Sequence, residues 1–89
     1  MSWKVVLGHR LALGSISKAT LAAYVSSGEG FEGWLKSKHG LSFDDVISGN
    51  SFKASQLVVE YARDYLGSGS ESTLKHLKAI FRLCGKPLF

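Results

Sequence analysis

One cysteine, Cys84, and one proline, Pro87, are all that 89 residues hold of either type. A lone cysteine excludes an intramolecular disulfide. Its place on an apolar helical seam predicts a buried thiol, in keeping with a reducing compartment. No apolar run approaches the roughly 18 residues that a membrane span requires. The opening Met-Ser-Trp-Lys-Val-Val-Leu-Gly carries one lysine and a short apolar run, too weak a pattern for a secretory signal. Residence in the cytoplasm (with the nucleoid) or in the nucleus is therefore expected, with no membrane partner. Enzyme signatures are also missing: there is no phosphate loop, no Gly-x-Ser-x-Gly elbow and no His-Glu-x-x-His. His9, His39 and His76 lie far apart beside a single cysteine, which gives no support to a metal site or any other cofactor. Asp44 and Asp45 are adjacent, and placement at a helix N-terminus behind Ser42 explains them better than catalysis does.

Acidic residues are absent from both ends of the chain, since all 7 lie between Glu29 and Glu71. The first stretch carries Lys4, Arg10 and Lys18, and the last carries Lys75, Lys78, Arg82 and Lys86. If the two ends meet in space, a formal net charge of only +4 becomes a concentrated positive surface. The competing reading is a solvated helix face that keeps a small protein in solution. A hydrophobic fraction of 45% and a charged fraction of 20% are those of a single folded domain.

The clearest element is the last. Leu74, Leu77, Ile80 or Phe81, and Cys84 recur at three and four residues and form an apolar seam. Lys75, Lys78 and Arg82 form a basic ridge on another face. Ser68 with Glu71 has the capping-box form, and Gly85 followed by Pro87 supplies the stop. A second helix is predicted over residues 53–66, with Leu57, Val58, Tyr61, Ala62 and Tyr65 on one side. Gly67–Ser70 is then a tight connection that makes these two helices neighbours. Upstream, Ser17 is an N-cap for residues 18–38, whose apolar face holds Leu21, Tyr24, Val25, Phe31, Trp34 and Leu35. Gly28 and Gly30 inside that face either break the helix or mark a place where another backbone comes close. Ser42 can cap a single turn over 41–47, residues 48–51 read as loop, and residues 3–13 read as helix or irregular structure. The sum is an all-α bundle of about four helices. The last seam is expected to pack on Tyr61, Tyr65 and the Phe31–Trp34 pair. Trp3 and Trp34 read as core anchors, and the tyrosines as core residues with rim hydroxyls. Only Trp34 with Lys36 and Lys38 comes near a base-stacking platform.

Ser17-x-x-Thr20-x-x-x-Tyr24 followed by Phe31-x-x-Trp34 resembles the first long helix of the core-binding domain of tyrosine recombinases and phage-type integrases. Leu57-Val-Val-Glu-Tyr-Ala-Arg-Asp-Tyr-Leu66, a Gly/Ser loop, Ser70-x-x-Thr73-Leu-x-x-Leu-x-x-Ile80 and a Gly-x-Pro ending resemble that domain's last two helices. The resemblance covers roughly Ser15 to Pro87. It implies a SAM-like bundle of four to five helices that clamps one side of duplex DNA, non-catalytic by itself. It also implies contacts from Lys18, Ala22 and Ala23 on the first of these helices, and from Ser72, Thr73, Lys75, His76, Lys78 and Arg82 on the last. Lysines would supply counterion release, and Ser72, Thr73 and His76 would donate to phosphates or base edges. Ala22 and Ala23 permit close approach or a thymine-methyl contact but no hydrogen-bond readout. The family's Arg, His and nucleophilic Tyr belong to a separate C-terminal domain with no counterpart here. The implied partners are duplex DNA, such a catalytic domain if the parent protein is longer, and a further copy of the chain on DNA. The alternative is a helical protein-protein interaction or dimerisation module without DNA binding, suggested by the exposed-looking Leu88 and Phe89.

Overall fold

In a computed structural model, residues 2–66 and 71–88 are described, without the side chains of residues 65 and 66. Among them are α1 (Trp3–Ala12), α2 (Lys18–His39), α3 (Phe43–Ser48), α4 (Ser51–Tyr61), a π-helical turn over Ala62–Leu66, and α5 (Glu71–Leu83), with no strand. The all-α architecture expected from periodicity is thus the one observed, and the ambiguous opening segment is a helix that docks on the rest.

The elements converge on an aromatic cluster. Phe31 of α2 sits at its centre, with ring centroids 5.2 Å from Phe43, 5.2 Å from Tyr61, 5.9 Å from Trp34 and 6.4 Å from Phe81. Phe43 in turn lies 5.0 Å from Trp3 and 5.3 Å from Phe81. Every helix therefore contributes a ring, at the offset and edge-on distances at which such pairs gain beyond area burial alone. Leu7, Leu35, Leu77 and Ile80 fill the space around them, all fully buried. The α5 seam packs as expected onto Phe31. It also rests on Phe43, which sequence periodicity had placed only on a short turn.

Helix α2 is continuous for 22 residues, with the Ser17 side chain accepting from the Thr20 N–H at its start. Gly28 does not break it. The residue that comes close there is the Trp3 side chain rather than a backbone: a Cβ at position 28 would lie 2.4 Å from the indole Cη2. Glycine makes the slot into which α1 is plugged.

Acidic side chains fix the turns. The Asp44 carboxylate accepts the Trp3 N–H at 2.8 Å, tying α1 to α3, and Glu32 accepts the Phe43 N–H at 3.1 Å, tying α3 to α2. Ser42 and Asp45 form a reciprocal capping box, each backbone N–H donating to the other side chain at 3.1 Å. The Ser42 N–H, then the Ser42 hydroxyl, hold the exposed Asp45 carboxyl below its ordinary value of 3.8. A carboxyl lowered by folding stabilises the native state above its unfolded value. That contribution is lost as pH falls through the folded value, below 3.8. Asp45→Asn is therefore expected to lower the urea midpoint at neutral pH. It should also flatten the midpoint's decline between neutrality and about pH 2, compared with the parent chain. An identical pH profile for the two proteins would contradict the capping role.

Asn50 caps α4, its side-chain oxygen accepting from Phe52 and Lys53 N–H, so the helix starts at Ser51, inside what read as loop. It turns π-helical at Ala62 instead of running on as an α-helix to residue 66. The Gly67–Ser70 connection and the Ser68 cap lie outside the described residues. So do the side chain of Tyr65, the expected first turn of the last helix from Ser68 to Ser70, and Phe89. The end of α5 is a Schellman turn: Lys86 N–H donates to Phe81 C=O at 2.8 Å and Gly85 N–H to Arg82 C=O at 3.0 Å, with Gly85 at φ 81. Pro87 follows beyond it. Cys84, expected to be buried, is half-buried because it lies where the seam runs out at this turn. Burial still pushes its thiol upward, with the Asp44 carboxylate adding to it, which keeps it a poor nucleophile.

Candidate nucleic-acid interface

The residues that the family resemblance singles out fall into three groups in space. The first lies between α2 and α5, which pack side by side. His76 turns inward there: its Nδ1 is 2.8 Å from the Ser27 hydroxyl and its ring lies 5.3 Å from Tyr24. Thr73, one turn earlier, is half-buried, as is Ala23 on α2, while Ser72 stays exposed. His76 thus has one ring nitrogen engaged within the bundle, across the contact between α2 and α5.

The second group is the α5 ridge. Steps of three and four residues put Lys75, Lys78 and Arg82 on the solvent face, and all three are exposed. They line one shallow groove with Ala79, Pro87 and Leu88, because the Schellman turn folds the chain's end back beside the ridge. The third group, Lys18 and Ala22, is exposed on the outer face of α2 beside Leu21, Val25, Ser26 and Glu29. That face is electrostatically mixed, since Glu29 closes one end of it and pairs with Lys4 at 3.6 Å.

Charge is distributed asymmetrically between structural and free roles. Glu29, Glu32, Asp44, Asp45, Glu60 and Asp64 each hold a backbone N–H or a basic side chain: Glu60 meets the His39 ring at 3.2 Å and Asp64 meets Arg63 at 3.6 Å. Lys86 is used internally as well, its ammonium donating to the Gly49 carbonyl just past the end of α3. Among the described residues, Lys18, Lys75, Lys78 and Arg82 have no carboxylate within ion-pair distance. Six of the acids are thus engaged elsewhere; Glu71, exposed in the first turn of α5, is the exception, and the ridge beyond it carries three cations.

Trp34 is the core anchor that its place on the apolar face predicts: it is only 8% exposed, packed between Phe31, Tyr61 and His39, and beside Lys36 and Lys38 it offers no ring to a base. One reading of the sequence needs correcting here. Leu88 is half-buried against the core, not an exposed hydrophobe. The exposed apolar side chains are elsewhere, Phe52 and Val59 of α4 among them; no sequence signal separated that face from an ordinary solvated one. No group of three or more His, Cys, Asp and Glu side chains is arranged to hold a metal among the described residues. No helix there is long and apolar enough to cross a membrane.

Fold and surface together define a small all-α bundle in which the exposed cations of α5 have no carboxylate partner among the described residues. Comparison with protein-family models, curated proteins and solved structures returns no match in any of the three.

Proposed function

We propose that the chain is a DNA-binding helical domain of the integrase core-binding type, holding the phosphate backbone of a duplex with Lys75, Lys78 and Arg82 of α5. The observation that carries this reading is their shared exposure along one groove without carboxylate partners, while Glu29, Glu32, Asp44, Asp45, Glu60 and Asp64 are engaged elsewhere. Exposed ammonium and guanidinium groups in a row release condensed counterions when they replace them on phosphates, and that gain needs no base readout. Lys18 on α2 supplies a further phosphate contact, and the exposed Ala22 beside it lets the backbone of the duplex come close. Ser72 donates from the exposed first turn of α5, whereas Thr73, His76 and Ala23 hold the α2–α5 angle from which the cations project. The domain has no catalytic role of its own and would work with the nucleoid or in the nucleus.

The test is a fluorescence-anisotropy titration of a labelled duplex. Lys75→Glu with Lys78→Glu is expected to weaken binding by about tenfold or more, uniformly across duplex sequences. Far-ultraviolet circular dichroism should be unchanged, because both side chains are exposed. Unaltered affinity would remove α5 from the interface, and a parallel loss of helicity would make the lysines structural.

A further inference from the structure

Helix α4 presents a second surface, independent of the DNA reading. Phe52 is 62% exposed and Val59 58% exposed. Separated by two helical turns, they share one line with Gln56 between them, and all three line one open groove. Lys53 and Glu60 repeat the same spacing on one flank of that line. Ser55, on the other flank, is only 6% exposed, and its hydroxyl has no hydrogen-bond partner.

We propose that this face binds a second copy of the chain, with the two α4 helices antiparallel across a two-fold axis at Gln56. Reversing the helix about Gln56 sets Phe52 of one copy against Val59 of the other, so each apolar side chain meets another. An antiparallel two-fold keeps like flanks on the same side, so Lys53 of each copy faces Glu60 of the other. Gln56 meets Gln56, whose amides both donate and accept. A parallel pair would set the Lys53–Glu60 flank against the Ser55 flank, which carries no charge to answer it. The stripe is therefore self-complementary in one orientation, the requirement for an isologous contact. One helix face is small beside standard interfaces, so association should be weak and dependent on concentration.

Sedimentation of the full chain from micromolar to millimolar concentration tests this. The parent chain is expected to move from monomer towards dimer across the series. Lys53→Glu alone and Glu60→Lys alone each place like charges across the axis and should stay monomeric. An equimolar mixture of the two variants restores opposite pairs and should associate again. Circular dichroism checks that each variant is folded. If Glu60→Lys loses helicity together with its His39 partner, Val59→Arg takes its place and should be monomeric. A parent chain that stays monomeric throughout would overturn the proposal. So would folded single variants that associate like the parent, or a mixture that stays monomeric.

Discussion

Gly28→Ala is expected to destabilise the fold by about 2 kcal/mol, although the same change in an ordinary helix interior stabilises by about 1 kcal/mol. The reversal of sign comes from Trp3. An added methyl would sit 2.4 Å from the indole Cη2 and 2.6 Å from Cζ3, distances that require something to move. The indole is 1% exposed and rigid, wedged against Phe43 at 5.0 Å, and its backbone N–H is tied to Asp44 at 2.8 Å. It can yield only by lifting α1 from the bundle. Urea unfolding followed by tryptophan fluorescence should show a lower midpoint with an altered native baseline. Trp3→Leu combined with Gly28→Ala should lose less than the sum of the two single losses, since two residues in contact are not additive. A raised midpoint in Gly28→Ala would mean that α1 docks differently.

Phe43→Ala should cost more, about 3–5 kcal/mol, the range for emptying a large aromatic site in a core. Phe43 is fully buried and touches rings from three other helices: Trp3, Phe31 and Phe81. Its helix, α3, has only 6 residues and is held by that ring, the buried Val46, its capping box and the bonds of Asp44 and Glu32. Against a total of about 5–15 kcal/mol for a domain, this loss removes a large share of the stability. Near-ultraviolet circular dichroism should weaken and the urea midpoint should fall steeply. Phe52→Ala on the exposed face is the control, expected to change stability by less than about 0.5 kcal/mol. Comparable effects at the two positions would contradict the placement of the core.

Both predictions rest on features at the edge of what the sequence discloses. Helices α2 and α5 could be read from local periodicity: the Leu77–Ile80–Phe81 seam, the Ser17 cap and the Gly85 stop all sit where spacing put them. Aromatic residues were recognisable as core for the same reason, and Tyr24, Tyr61, Trp3 and Trp34 are half-buried or buried. The partners of these elements were not legible, because partnering depends on contacts between residues far apart in sequence. Trp3 reaching Gly28, Asp44 capping the Trp3 amide and Ser27 meeting His76 at 2.8 Å are of this kind. Gly28 shows the limit well. A glycine within a helical pattern signals either a break or a close approach, and only the tertiary fold decides between them. The basic ridge was visible as Lys75, Lys78 and Arg82. That His76 and Thr73 turn away from it followed from how α2 packs on α5, which the helical period of α5 alone does not fix.

The most direct measurement is the affinity of the chain for duplex DNA as a function of salt. Three exposed cations on phosphates predict that log K falls with log salt at a slope of about −2.7, steeper if Lys18 joins them. Replacing Lys75 with glutamine should reduce that slope by about 1. An affinity that does not weaken as salt rises, or no affinity at low salt, would contradict phosphate binding by α5.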